Sequence, residues 1–434
     1  MMKIDDFPLS RVPATSRVSL LSVAIVHMGM LTALDQFMLG AVLGDSMPLG
    51  DAFTAIILGS LIFGLITFGF GYIGMKEGLS GSLLGRWCGF GKSGSALIGV
   101  VVAISLLGWF GIQNSLFARS LSAATEGKLS FSLAATLSGL TLTLIVAFGF
   151  RALRFTARFA VPVFIALIAW ISWHTLISDH ASPPVMSGQS KEMLSINAGI
   201  TLVVGGAILA SLMTPDLTRY SKNGRHVLMI TLATIILGEF IINGLAIFIA
   251  RKLNTGDIMS IITLSTGSLG LLAVICSTLR VNDLNLYSSA LGIVNAVEST
   301  TGKKLSYSAV TLGLGVLGTG LSVWGILDHF VDFLNLLGVV VPPVLGVMLT
   351  EYFVVKKYSV ALKTSRADGT LPDKTVTTGW AAILASLAGS YVGLSVQWGA
   401  PTLNSFLVAC ISYILFESLK VSEWCGRLRR TPVR

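Results

Sequence analysis

Long apolar runs recur along the whole chain, separated by short stretches rich in Lys, Arg, Gly and Pro. A helix needs about 20 apolar residues to cross the hydrocarbon core of a bilayer. The runs are continuous and do not alternate with period two, so they predict helices and not the strands of a barrel. They place spans near 18–44, 51–75, 93–121, 130–150, 159–178, 196–216, 226–250, 263–295, 305–325, 328–353, 375–397 and 403–421, twelve in all. An even count leaves both termini on one side. Several runs exceed the bilayer thickness and must tilt, break or continue into water.

Composition agrees, with 53% hydrophobic and 12% charged residues, too little charge to cover a soluble protein of 434 residues. The net charge of +9 changes the picture only through its distribution. Of the 30 Lys and Arg, 24 fall on the side of the termini, five on the other side, and one, Arg280, lies inside a span. The positive-inside rule then predicts a multi-pass protein of the cell (inner) membrane with both termini cytoplasmic. It removes the reason to invoke nucleic acid as a partner. The basic clusters meet anionic lipid heads instead.

The expected organisation is a cytoplasmic tail, 1–17, and a ten-helix core, 18–353, with halves near 18–178 and 196–353. A polar cytoplasmic loop, 354–374, then leads to two trailing spans within 375–421 and a tail, 422–434. No cleavable leader is expected, because residues 1–17 are polar and the first apolar run is too long. Cys88, Cys276, Cys410 and Cys425 show no metal or disulfide spacing and read as apolar filler. No phosphate loop, metal-ligand cluster or cofactor motif stands out, and glycine strings such as Gly64, Gly69, Gly71 and Gly74 read as helix-packing positions.

Polar groups inside spans are costly, which makes them functional candidates. In span 1, Asp35 and Gln36 lie between Gly29 and Gly40, where a helix could unwind and offer backbone carbonyls; the plainer reading is an Asp35 hydrated near the outer end. In span 3, Trp109 and Gln113 share a face, one suited to stacking on a flat ring and the other to bonding its edge; the plainer reading is packing and an interhelical hydrogen bond. In span 6, the pair Gly205–Gly206 permits a break, Pro215 ends or kinks the helix, and Asp216–Arg219 reads as a surface pair. In span 8, Thr278, Asn282, Asn285 and Ser289 form one polar face, while Cys276, Arg280, Asp283 and Tyr287 repeat the spacing on nearly the opposite one. A helix polar on two faces belongs at the centre. Arg280 pairs locally with Asp283, supplies a fixed charge near Asp35 or an ion site, or does both.

Ordered motifs carry a resemblance across about 18–358: Gly71-Tyr72-Ile73-Gly74-Met75-Lys76-Glu77-Gly78-Leu79, Gly108-Trp109-Phe110-Gly111, Asp216-Leu217-Thr218-Arg219-Tyr220, Asn282-Asp283 with Leu286-Tyr287, and Pro342-Pro343-Val344-Leu345-Gly346 before Glu351-Tyr352. The chain resembles the nucleobase:cation symporter-1 family of purine and cytosine permeases, and within it the bacterial cytosine permease branch. The resemblance implies an all-α, leucine-transporter-type fold: a 5+5 inverted repeat plus two C-terminal helices, with spans 1 and 6 broken around a midplane site. It places the substrate-stacking tryptophan at Trp109, a ligand-binding glutamine at Gln113 and the span 6 sandwich position at Ala207; beside these, Gln36, Gly206, Asn282 and Asn285 are the substrate positions expected from the polar and glycine pattern of spans 1, 6 and 8. Two departures set cytosine itself in question. Leu106 stands where that branch has a glutamine, and Ala207 stands where an aromatic closes the base sandwich. The sodium-binding hydroxyl positions fall on Arg280 and Val281. A guanidinium repels sodium, so a sodium-independent protein is expected, with Asp35 or Asp283 carrying a proton.

The function expected is therefore secondary active import of a nucleobase-like heterocycle, with a small-molecule substrate, a coupling proton or cation and the lipid bilayer as partners. The alternatives are a transporter of a cationic or zwitterionic metabolite, such as a thiamine-precursor pyrimidine or amino-acid-like solute, and a channel. An enzyme is not expected, because the five His are scattered and only His27 lies clearly in a span.

Overall fold

The computed structural model describes residues 10–31, 34–148, 165–177, 193–372, 375–396 and 398–419; at 29–31, 148, 263–273, 275–277, 279–280, 283 and 299 this extends to the backbone alone. The helices are α1 (Leu20–Leu31), α2 (Leu34–Ser46), α3 (Leu49–Glu77), α4 (Gly81–Leu84), α5 (Gly91–Ala124) and α6 (Phe131–Phe148). They continue with α7 (Ile165–Ile177), α8 (Ile196–Thr218), α9 (Gly224–Leu253), α10 (Ile258–Thr301), α11 (Tyr307–Trp324) and α12 (Ile326–Val355). The chain ends in α13 (Ser359–Ala367), α14 (Trp380–Ser395) and α15 (Pro401–Ser418). Among the described residues there is no strand. Among the described residues, six helices (α3, α5, α8, α9, α11 and α12) are long and apolar enough to cross a membrane by length and composition. Bulky apolar side chains face outward, Trp324 at 71% and Trp398 at 84% exposure among them. Water would penalise such a surface; lipid does not.

Local signals set the helix ends. The Ser195 and Asp257 side chains accept from the backbone N–H three residues on, starting α8 and α10. Gly302 (φ 72°) and Gly325 (φ 97°) end α10 and α11 in the left-handed region that glycine tolerates.

Packing relies on backbone approach. The helices α5 and α10 run antiparallel: a Cβ on Gly292 would stand 3.0 Å from the Gly99 carbonyl, and the Ser289 hydroxyl donates to the Ala103 carbonyl at 2.7 Å. Likewise α8 and α12 touch at Gly205 and Gly338, where an added Cβ would collide with the Leu334 and Thr201 carbonyls respectively. This corrects the expected break in span 6. Helix α8 runs unbroken through Gly205–Gly206, and Gly205 serves to bring the α12 backbone close. Nor does Pro215 end the helix, which continues to Thr218. Of the stretch Gly29–Gly40, where span 1 is expected to unwind around Asp35 and Gln36, the part from Leu34 onward is helical, and residues 32–33 lie outside the described residues.

The 354–374 segment is more than a linker. Its helix α13 buries Leu362 and Ser365, and Arg11 reaches it by donating to the Ser365 hydroxyl (2.8 Å) and the Thr370 carbonyl (2.7 Å).

Candidate functional site

Trp109 is buried on α5, where its ring meets Phe330 and Phe333 of α12 edge-on at 6.2 and 5.4 Å. Gln113, one turn further, is buried with neither amide atom hydrogen-bonded. Asn282 on α10 is likewise buried with both amide atoms unpartnered. The α5–α10 register (Gly99 by Gly292, Ala103 by Ser289) continues along the face 103, 106, 110, 113 and along 289, 285, 282, 278. Phe110 accordingly packs with Leu286. Asn282 is thereby level with the Trp109–Gln113 turn. The polar face expected on span 8 is thus the face turned to α5, and half-buried Asn285 lies on it. Unpartnered amides in a dry interior are costly, each group by about 1–3 kcal/mol, unless something else bonds them.

A second polar set joins α2, α8 and α9. Gln36 is buried; its Nε2 donates to the Gly206 carbonyl (3.3 Å) and its Oε1 accepts from Asn243 Nδ2 (3.3 Å). Asn243 Nδ2 also donates to Glu239 Oε2 (3.1 Å). Glu239 is fully buried and lies in a π-helical stretch, Ile235–Ile242, within α9. Three oxygens in this set have no donor: Asp35 Oδ1, Glu239 Oε1 and Asn243 Oδ1. Glu239 and Asn243 escaped the sequence reading. The usable signal was a carboxylate amid the apolar string Ile-Leu-Gly-Glu-Phe-Ile-Ile.

The remaining predicted positions fall as follows. Gly206 faces Gln36 and Leu39, while Ala207 turns away and packs with Phe63, Ala210 and Ile235. The side chains of Arg280 and Asp283 lie outside the described residues. Arg219 is buried and not a surface residue, and Asp216 accepts from the Gly81 N–H at 3.3 Å. His27 bridges helices by hydrogen bonds to Thr234 (2.8 Å) and Thr214 (2.9 Å), an interhelical role.

A cavity of about 220 Å³ lies elsewhere, at the end of the bundle holding Arg11 and α13. Lys76, Glu77, Trp87, Glu351, Tyr352 and Arg366 are among its lining residues, and none of the predicted site residues reaches it. Glu77 is its organising group, accepting from Arg11 (3.0 Å), Tyr352 (2.6 Å) and Arg366 (2.5 Å).

Comparison with known proteins agrees with this architecture. Residues 12–415 match the family described as permease for cytosine/purines, uracil, thiamine, allantoin. The cytosine permease of Escherichia coli (strain K12) is 28% identical over 424 residues, 96% of each chain. Among solved structures, Mhp1 in an inward-facing conformation superposes with a TM-score of 0.80 at 18% identity, over 95% of this chain and 93% of that one. Mhp1, a nucleobase-cation-symport-1 family transporter, in a closed conformation with bromovinylhydantoin bound, gives 0.70 at 19% identity, over 98% and 97%. A Na⁺-coupled sialic acid symporter gives 0.60 at 13%, over 93% and 90%. The fold is therefore the Mhp1-like, leucine-transporter type. Match by match, the chain belongs to the cytosine/purine, uracil, thiamine and allantoin permease family, and is a multi-pass membrane secondary transporter and not an enzyme.

Proposed function

We propose that the protein imports a nucleobase-like heterocycle across the inner membrane by alternating access, without sodium and coupled to protons. Twelve crossings form two inverted sets of five plus two trailing helices, with both termini cytoplasmic. The bundle of α1/α2, α3, α8 and α9 rocks against the scaffold of α5, α6, α10 and α11, and substrate binding biases the two arrangements.

One observation carries the substrate reading: the unpartnered amides of Gln113 and Asn282, on touching helices, level with the Trp109 indole. An aromatic face beside groups that both donate and accept suits a flat ring with mixed polar edges. The named relatives, a cytosine permease and a hydantoin-bound transporter, point to the same class. Leu106, in place of the branch's glutamine, favours a ring other than cytosine; Ala207, turned toward Phe63 and Ile235, has no part in that preference. The unpartnered Asp35 carboxylate oxygen supports a second reading, a cationic or zwitterionic metabolite.

Uptake into proteoliposomes, competed by cytosine, uracil, hypoxanthine, hydantoin, allantoin, hydroxymethylpyrimidine and thiamine, with and without sodium and a protonophore, separates these readings. Inhibition by at least one neutral ring in sodium-free buffer is expected. Trp109→Ala should weaken that ring by about 1–3 kcal/mol, roughly 5- to 150-fold. Indifference to every neutral ring, or strict sodium dependence, would refute the proposal.

A further inference from the structure

We propose that Glu239 is the site of the coupling proton, and that Asn243 passes its charge state to the substrate helices through Gln36. The inference deepens the transport reading above and rests on it.

The geometry begins with three acceptors that lack donors, Asp35 Oδ1, Glu239 Oε1 and Asn243 Oδ1. Asn243 is fully buried, and because its Nδ2 bonds to Glu239 Oε2, its orphan oxygen lies within the same cluster. Two carboxyl groups among apolar helices, with no cation bonded to them among the described side chains, call for a positive ligand. A proton fits better than a metal ion. The Asn243 N–H₂ group already sits among Glu239 Oε2, Gln36 Oε1 and the Gly238 carbonyl, at 3.1, 3.3 and 3.4 Å. Among the described residues no group of three or more His, Cys, Asp or Glu side chains is gathered to hold a metal ion, whereas a proton needs a single oxygen and adds one donor where there is none.

The step is simple. Ionised Glu239 takes one proton from water on one side of the membrane and becomes a neutral acid whose O–H donates within the cluster. Facing the other side it returns to carboxylate and releases the proton there; no other bond forms or breaks. Ionised, Glu239 accepts a charge-assisted bond from Asn243, about twice as strong as the neutral one. Asn243 also holds the Gln36 carbonyl, and Gln36 holds the Gly206 carbonyl on α8. The charge on α9 therefore sets how firmly α2 and α8 are joined at Gln36 and Gly206. The π-helical winding around Glu239 marks the place where α9 departs from regular geometry, a common trait of functional sites.

The charged and titratable groups around Glu239 are few among the described side chains. Helix α2 presents Asp35, which interacts electrostatically with Glu239. Helix α1 presents His27, bonded to Thr234 a turn earlier on α9. The charged residues of α3, Asp51, Lys76 and Glu77, lie in its terminal turns.

The test uses full-length protein in proteoliposomes with tritiated cytosine, hypoxanthine and hydantoin as separate probes. For Glu239→Gln, counterflow exchange persists while accumulation driven by an imposed pH gradient falls at least tenfold; Glu239→Asp retains part of the gradient drive. Glu298→Gln, an exposed carboxylate near the end of α10, changes neither. Gradient-driven accumulation by Glu239→Gln equal to wild type overturns the inference and leaves the transport reading intact. Loss of exchange along with accumulation, which would make the carboxylate structural, likewise overturns the inference alone, whereas wild-type uptake driven by sodium alone overturns both the inference and the sodium-free transport reading. Absence of exchange of all three probes by the wild type sinks the transport reading, and the inference with it.

Discussion

Replacing Glu77 by Gln should cost about 3–5 kcal/mol of stability, most of it through Arg11. The substitution keeps the shape and removes the charge. Arg11 and Glu77 are 5% and 1% exposed at their side chains, so water cannot replace the lost counter-charge. Breaking such a buried pair from one side typically costs about 3–5 kcal/mol. Arg366 is one-third exposed, and its share is discounted to under about 1 kcal/mol. Burial pulls the Arg11 guanidinium below its ordinary value and Glu77 opposes that pull, the balance expected of a desolvated pair. The assay is equilibrium unfolding in mixed detergent micelles of wild type, Glu77→Gln, Arg11→Met and the double variant. Removing both partners should be milder than the sum of the single losses, with a coupling of at least about 2 kcal/mol. A coupling below about 0.5 kcal/mol, or a Glu77→Gln variant as stable as wild type, would refute the reasoning.

Other substitutions probe the packing and the site. Gly205→Ala pushes against the Leu334 carbonyl and should destabilise by about 1–3 kcal/mol, whereas Gly320→Ala, with open space around it, should gain up to about 1 kcal/mol of helix propensity; thermal unfolding of the pair checks the contrast. Ala207→Phe should lower stability by about 1–3 kcal/mol without tightening cytosine binding, since that side chain points into Phe63 and Ile235; a rise in cytosine affinity would place the residue in the pocket after all. Gln113→Leu and Asn282→Leu each remove unpartnered buried amides, so both should leave melting unchanged or raised while weakening the ring substrate about tenfold in a binding titration.

The helices were legible because burial in lipid demands long apolar runs, and these need no tertiary context. The predicted segments from 51–75 to 403–421 coincide with helices, within a few residues wherever the structure describes them. Span 8 ran longer than its apolar part because Asp257 and Gly302 cap it beyond the hydrophobic stretch. The polar face Thr278–Ser289 was readable from spacing, and its partner α5 was not. Gly205–Gly206 shows why. Glycine either relaxes a helix or admits another backbone, and only the neighbour, Leu334, tells which. Glu239 was hidden by the apolar residues around it. Its importance comes from Asn243 and Asp35, whose approach is a property of folded helices and not of any local motif.

The length of α10 has a mechanical consequence. Its 44 residues extend about 66 Å, against a hydrocarbon layer of about 30 Å. Tilt alone would need about 60°, beyond the range that spanning helices adopt. A rigid stub must therefore project into water. Since its C-terminal third is keyed to α5 at Ser289 and Gly292, the two form a mast that cannot swivel independently. A binder gripping that stub would hold the scaffold from outside the membrane, a handle for arresting the transport cycle without touching the substrate chamber.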